Sequence, residues 1–266
     1  MSLTNKTIAN SFLDLLQMDN DNDGVDGTVR NIKDGAGNST PIALSQDALR
    51  FTPIDNDTTT TFSIRNKAAG TVALNVDTTN TLVQASGNYV NTQYATFSVG
   101  HTQSAGFLVN THYALPFGQG MYGSVTAAEL PIFGTGTDPA TSLTTAEVDS
   151  NRASEIVPCM WNVMDDIAID SVKALVGADT ATGDVTRMHL FSYDFTSANT
   201  SCLTNGTLVA HDTDRTNLGS EQVHGHDSWT VDSAAVGSGK VILAFFRSDS
   251  INSDYSIQLT VKYHLT

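Results

Sequence analysis

Short runs of alternating apolar and polar residues, separated by turn-forming residues, fill most of the chain after residue 90. Every second residue from Tyr255 to Tyr263 is apolar or aromatic, which places those side chains on one face of a strand. Val241 to Phe246 is apolar at every position, as is typical of a strand buried on both faces. Other apolar runs lie at 93–99, 106–113, 156–163, 167–176, 187–193, 207–211 and 228–232. The pattern predicts a two-sheet antiparallel β-sandwich or jelly roll of roughly eight strands.

The last two apolar runs, 240–246 and 255–263, are joined by the turn-rich segment 247–254. Runs joined by such a segment commonly pair as a hairpin. We therefore expect these two strands to pair with each other in the core. The stretch 134–152 has little apolar periodicity, and we expect a long surface loop there.

The first 90 residues are much less apolar. Ile8, Phe12, Leu15 and Leu16 recur at the spacing of one helical face, which predicts a short N-terminal helix. Residues 24–60 resemble a loop, and two short strands follow at 62–65 and 72–76. So few apolar residues cannot bury a core in a small domain. We expect residues 1–90 to form an oligomerisation and attachment region, whose apolar residues line the axis of an oligomer, and residues 91–266 to form the sandwich.

Composition narrows the class of protein. The 266 residues include 28 Asp and Glu against 13 Lys and Arg, a net charge of −15. Such a charge argues against nucleic-acid binding, which needs a basic surface. It also argues against binding to a membrane of anionic lipids. Asp accounts for 24 of the acids, and Thr and Asn are abundant, which favours an all-β, turn-rich fold over a helical one.

Two cysteines, Cys159 and Cys202, are too few for a disulfide framework in a chain of this length. The N-terminus lacks the pattern of a signal peptide. No apolar stretch approaches the ~18 residues of a membrane span. We expect synthesis in a cytoplasm, reduced thiols and no membrane insertion.

Two segments contain residues of metal-binding type. Asp19, Asp21 and Asp23 open a D-x-D-x-D-G pattern, but its twelfth position, a bidentate Glu in calcium loops, is Arg30. A solvated turn is the favoured interpretation. His224 and His226 point to the same side of an extended chain, next to Asp227 and downstream of His211, Asp212 and Asp214. This spacing is the best metal candidate in the sequence, but spacing alone is weak evidence, and we expect no bound metal and no cofactor.

Catalytic patterns are weaker still. Asp165, Asp166 and Asp170 surround the start of a predicted strand, but strand neighbours point to opposite faces and do not form a glycosidase acid pair. The segment Gly237–Lys240 resembles a phosphate loop but continues with Val241 in place of the Ser or Thr that would bind magnesium. There is no G-x-S-x-G motif. We expect no enzymatic activity.

Two parts of the chain resemble a known group of proteins. The opening SLTNKTIANSFLDLLQMDNDNDGVDGTVRNIKDGAGNSTPIALSQDALRF resembles the N-termini of tail-fibre and related virion proteins of marine tailed bacteriophages. In those proteins a T-x-K-T-I-A…DLLQ…RNIKDG-x-G segment precedes a strand pair like NKAAGTVALNVDTTNTLV. The segments VPCMWNVMDDIAIDSVKALVGADTATGD and GKVILAFFRSDSINSDYSIQLTVKYHL resemble the terminal β-domain of such fibres.

The resemblance implies a homotrimer on the virion surface, with the N-terminal region bound to other virion proteins and a jelly-roll-like head facing outward. We expect Ile8, Phe12, Leu15 and Leu16 to make the attachment, and the head to contact host-surface glycans or a receptor. A tail fibre, a head fibre and a capsid decoration protein remain open, since the chain has no repetitive shaft. A carbohydrate-binding adhesin module and a particle-bound depolymerase are the alternatives of other classes.

Overall fold

A computed structural model of the chain describes residues 15–20, 23–67, 70–100, 107–118, 130–146, 151–179, 181–250 and 254–266. The described residues are mostly in antiparallel strands, with a single four-residue α-helix and a 3-10 helix. The prediction of an all-β protein is confirmed. The chain divides into two compact units, Met1–Val90 (unit 1) and Asn91–Thr266 (unit 2).

Unit 1 contains two small antiparallel meanders. The first pairs its strands in the order β1-β2-β3-β4 and the second in the order β5-β6-β7-β8. Their bounds are β1 Gln17–Met18, β2 Arg30–Lys33, β3 Ser39–Leu44, β4 Leu49–Phe51, β5 Phe62–Arg65, β6 Val72–Asp77, β7 Leu82–Ala85 and β8 Asn88–Tyr89. The prediction of a loop over 24–60 was wrong, because β2, β3 and β4 lie there. These strands hold together by backbone pairing, and their side chains lack the alternation that marks a buried face.

The predicted N-terminal helix falls mainly on residues 1–14, so Ile8 and Phe12 lie outside the described residues. Leu15 and Leu16 are described, without regular secondary structure, and are 42% and 68% exposed. The strand β1 follows them directly.

Unit 2 contains the remaining strands and both helices. Their bounds are β9 Thr92–Val99, β10 Tyr113–Ala114, the α-helix α1 Ala153–Ile156, the 3-10 helix Val157–Cys159, β11 Trp161–Asn162, β12 Ile167–Asp179, β13 Val185–Phe195, β14 Leu203–Asp212, β15 Arg215–Thr216, β16 Gln222–His226, β17 Trp229–Val231, β18 Ala235–Val236, β19 Lys240–Ser248 and β20 Asp254–Leu265.

Two antiparallel sheets form from these strands. The β12 sheet has the order β16-β12-β20-β9, and β18 pairs with the start of β12. The β13 sheet has the order β10-β19-β13-β14-β17, with β11 paired to β19 and β15 paired to β13. Facing side chains of the two sheets share one core, as Val176 and Leu259 from the first and Leu190 and Phe246 from the second illustrate.

The far face of the β13 sheet is covered as well. Phe133 and Leu143, from the segment 130–146, and Ile156 of α1 pack with Phe191 and Leu243 in a second apolar cluster. The whole run Val241–Phe246 is therefore buried, which confirms the prediction of a strand buried on both faces. The segment 134–152, predicted as a surface loop, contributes Leu143 to that cluster.

The predicted hairpin between the last two strands was wrong. β19 pairs with β13, β10 and β11, whereas β20 pairs with β12 and β9. These two consecutive strands therefore belong to different sheets. Two predicted strands are also mostly irregular where the structure describes them. Of residues 107–113, Tyr113 alone lies in a strand, and the run 156–163 contains the end of α1, the 3-10 helix and the short β11.

Candidate ligand-binding groove and histidine clusters

An open groove of about 600 Å³ lies on the outer face of the β12 sheet, opposite the core. Side chains alternate across this sheet, so the neighbours of buried Phe97, Val172 and Leu259 point outward. Residues of four strands or their ends contribute to the lining: Tyr94, Ser171, Lys173, Leu175, Asp227, Gln258, Thr260 and Lys262.

The register of the strands fixes the order of these side chains. Lys262 of β20 lies opposite both Tyr94 of β9 and Ser171 of β12. Two residues earlier on β20, Thr260 lies opposite Lys173, and Gln258 then lies opposite Leu175. Directly opposite side chains have Cβ atoms about 5 Å apart. The lining is therefore one continuous surface and not a set of scattered residues.

Tyr94 and Leu175 place exposed apolar surface at the two ends of the groove. They are 67% and 55% exposed, and the strand between their cross-strand partners spans about 13 Å. An isolated exposed apolar residue is common on protein surfaces, but two that border one concave surface are typical of a ligand site.

Two lysines and one carboxylate line the groove of this acidic protein. Lys173 and Lys262 line it, and the net charge of the chain is −15. Asp227 also lines it, but its Oδ1 accepts a 2.7 Å hydrogen bond from Arg215 Nη2. Asp170, which precedes Ser171, is paired with His264 at 2.9 Å. Two cationic side chains therefore lie on one concave surface of a chain with a net negative charge.

A buried histidine network lies behind one edge of the groove. His226 is completely buried, and its Nδ1 lies 2.6 Å from Oδ2 of buried Asp212. Its Nε2 lies 3.1 Å from the hydroxyl of Thr186, and its carbonyl accepts a hydrogen bond from Trp229. Arg215 Nε lies 3.7 Å from the same Asp212 oxygen. Both ring nitrogens of His226 are thus engaged in hydrogen bonds within the protein.

His224 lies beside His226, with ring centroids 5.1 Å apart. The spacing predicted that these two histidines lie on one side of a strand, and the structure places them there. Asp212, from the upstream segment, contacts His226. Burial lowers the pKa of His224, since desolvation disfavours the imidazolium. Nevertheless, within the part of the chain that the structure describes, no three His, Cys, Asp or Glu side chains are grouped so as to hold a metal ion. The geometry is that of a structural network.

The acidic turn near the N-terminus also has internal partners. Asp19 pairs with Lys33 at 2.8 Å, and Asp26 pairs with Arg30 at 3.0 Å. The hydrogen bond from Arg30 is the main reason that the pKa of Asp26 lies below its usual value. The amide of Asp23 donates to the Asn20 carbonyl, while Asp21 lies outside the described residues. Arg30 thus places a cation at the twelfth position, where a calcium loop has its bidentate Glu.

Asp166, one of the acidic candidates beside β12, has a structural partner. It accepts a hydrogen bond from the Ser238 amide at 2.7 Å, which connects the start of β12 to the turn between β18 and β19. Gly239 in that turn has a φ of 80°, a conformation that glycine adopts without strain. The segment 237–240, which resembles a phosphate loop in sequence, is thus a turn that joins strands of two different sheets.

A second histidine pair, not predicted from the sequence, lies elsewhere in unit 2. His112 and His189 are both buried, with ring centroids 5.0 Å apart. His112 Nε2 lies 3.1 Å from the Gly136 carbonyl, and His189 Nε2 lies 3.4 Å from a carboxylate oxygen of Asp138, beside a cavity of about 400 Å³. Desolvation lowers the pKa of His112 to about 4 and that of His189 to about 3. The two lie on distant segments, and nothing local in the sequence signals their contact.

No described helix is long and apolar enough to cross a membrane. A comparison with protein-family models and a comparison with curated proteins each found no match to the chain.

Proposed function

We propose that this protein is a structural protein of a tailed-bacteriophage virion: a short trimeric fibre whose N-terminal unit assembles and attaches it, and whose C-terminal head contacts the host surface. The observation that carries the proposal is the absence of a core among the described residues of unit 1. There, Ala43 is the one apolar side chain that is buried.

Unit 1 exposes many of its large apolar side chains: Leu15, Leu16, Val25, Leu49, Phe51, Ile54, Ile64 and Val90. Burial of apolar surface contributes about 25 cal/mol per Å², so a unit that leaves these side chains in water gains little from folding alone. Copies of the chain around a common axis would bury the same apolar patches on every copy, because a symmetric assembly repeats one interface. A homotrimer provides that cover.

The strand order of unit 2 supports a jelly-roll-like head. When the eight strands β9, β10, β12, β13, β14, β16, β19 and β20 are lettered B to I, the sheets are B-I-D-G and C-H-E-F. That order supports a jelly-roll-like arrangement, which is used in viral capsid and lectin domains. Fold alone does not imply function, but such a head after a unit whose described residues bury little apolar surface is consistent with a virion protein.

For attachment, we propose that Ile8, Phe12, Leu15 and Leu16 dock onto another virion protein. Exposed Leu15 and Leu16 are available for such a contact. Four apolar side chains that enter a partner groove would each contribute about 1.5–3 kcal/mol. The acidic turn that follows would favour a basic partner surface.

Native mass spectrometry of the full chain, together with labelling of the protein on purified particles, tests the proposal. We expect a mass of three times the 28.3 kDa chain and a label on the virion surface. A stable monomer at micromolar concentration, or a label absent from particles, would contradict it. The position of the label, at the tail or on the capsid, separates a fibre from a capsid decoration protein.

The groove favours a second candidate, a carbohydrate-binding adhesin module. An exposed tyrosine beside polar groups suits sugar recognition. Such a module would bind sugar as a monomer and would not require a particle. The same mass measurement separates this candidate from the first.

A further inference from the structure

The groove on the outer face of the β12 sheet combines an aromatic ring, two ammonium groups and a row of hydroxyl and amide groups. We propose that it binds an acidic oligosaccharide whose sugars bear carboxylates, as uronic acids do. This inference rests on the proposed function, because it names the ligand class of the host-contacting head.

The apolar part of the lining suits a sugar ring. A pyranose presents a face of C–H groups, and aromatic side chains offer that face a flat apolar surface. Tyr94 provides such a surface at one end of the groove, and Leu175 provides apolar surface at the other. The groove volume of about 600 Å³ lies within the usual range of ligand sites. Its open, elongated form fits a short oligosaccharide better than a compact metabolite.

The polar part of the lining suits sugar hydroxyls. Ser171 and Thr260 provide hydroxyl groups, and Gln258 provides an amide that both donates and accepts. Within the described residues, none of these three side chains makes a hydrogen bond to another protein group. Ser171 lies on β12, and Thr260 and Gln258 lie on the adjacent strand β20, in the part of the groove between Tyr94 and Leu175.

The charge of the lining decides which kind of sugar is favoured. Lys173 and Lys262 are diagonal neighbours on β12 and β20, a position in which Cα atoms lie about 7–8 Å apart. A chain with a net charge of −15 repels acidic ligands over most of its surface. Two ammonium groups on one concave surface, where the lining carboxylate Asp227 is engaged by Arg215, offer an anionic sugar a charge attraction. A neutral sugar would lack that attraction and would keep only the stacking and hydroxyl contacts.

The test is calorimetric titration of the full-length protein with tetrasaccharides of galacturonate, mannuronate and glucuronate. The methyl esters of the same tetrasaccharides, which keep the backbone and lose the charge, are the matched ligands. We expect at least one acid to bind, its ester to bind at least tenfold more weakly, and the affinity of the acid to fall as salt rises. Sulfated tetrasaccharides form a further arm, and binding of those alone would overturn the assignment to carboxylates.

Two variants locate the site. Tyr94→Ala and Lys173→Gln should each weaken binding at least tenfold, because they remove the stacking surface and one ammonium group. Lys67→Gln, which removes the same charge from an exposed position in unit 1, should leave binding unchanged. Both groove positions are exposed, so each variant should keep the wild-type melting temperature, and Lys173→Arg should restore most of the affinity.

Each other outcome has a definite meaning. Binding that both groove variants leave intact would overturn the location. A trimer that decorates particles but binds none of the acids would overturn this inference while the proposed function stands. A change of native mass in Tyr94→Ala would show that a second copy of the chain occupies the groove, and would overturn the inference as well.

Discussion

Buried polar side chains in unit 2 differ in how completely they are satisfied. His226 has a partner at each ring nitrogen, Asp212 and Thr186. By contrast, the Nδ1 atoms of His112 and His189 are buried with no hydrogen-bond partner among the described residues. An unsatisfied buried imidazole is tolerated most easily in its neutral form. Burial also raises the pKa of Cys159 to about 12, so this thiol stays protonated and is a poor nucleophile.

The histidine pair should make the protein sensitive to acid. Between pH 6.5 and about 4, the unfolded chain holds a proton on each imidazole that the folded state excludes. Stability therefore rises with pH across this window and falls as acid is added. For His189 the loss is roughly 2–3 kcal/mol between pH 7.5 and pH 4.5.

The substitution His189→Phe tests this effect. Phe keeps an aromatic ring in a site already surrounded by Phe191 and His112 and cannot be protonated. We expect the variant to lose ~2 kcal/mol less stability than the wild type between pH 7.5 and pH 4.5, as measured by urea unfolding. Equal losses in the two proteins would show that His189 does not titrate as proposed.

Among the strands, β19 tolerates polar substitution least, because both of its faces are buried. It lies between β13 and the short strands β10 and β11, and both of its faces are covered. Leu243 is completely buried opposite Phe191, on the face covered by segment 130–160. A change there affects the cover of the sheet as well as the strand.

Leu243→Asp should abolish soluble expression, because an unpaired charge in this cluster costs several kcal/mol. The matched control is Leu218→Asp, at a leucine that is 82% exposed, and it should express normally. Leu243→Ala should remain soluble and lose about 2–5 kcal/mol in urea unfolding. A Leu243→Asp variant with the wild-type melting temperature would contradict the buried position of β19.

For the whole molecule, the contrast between the units is the main feature. Unit 2 has two apolar clusters and buries whole strands, whereas none of the described residues of unit 1 belongs to either cluster. The proposed trimer would cover the apolar side chains that unit 1 exposes and would stabilise it by association, which is testable.

Leu49→Glu should dissociate the trimer. Leu49 is 59% exposed on β4, and a charge there would be buried against a neighbouring copy. Asn56→Glu adds the same charge at an exposed polar position and should leave the trimer intact. Native mass spectrometry over a concentration series measures both. If Leu49→Glu remains fully trimeric at the lowest concentration, β4 does not lie in the interface.

The sequence by itself determined the all-β class and most of the long strands. β12, β13, β14, β19 and β20 were each predictable, because alternation or continuous apolarity reports how many faces of a strand are buried. The apolar density of the chain also changes near residue 90, where the two compact units divide. These are local properties, and each can be read from a few neighbouring residues.

Only the tertiary structure decided which strands pair and which side chains meet. β19 and β20 are neighbours in sequence but belong to different sheets, because strand partners are selected by contacts between distant segments. The cover of the β13 sheet comes from the segment 130–146 and from two very short helices, none of which has a periodic apolar pattern. The groove needs the register of β9, β12 and β20 together, since a shift of one residue would turn Tyr94 and Lys173 into the core. The contact between His112 and His189 likewise joins residues that are far apart in the sequence, so no local pattern predicts it.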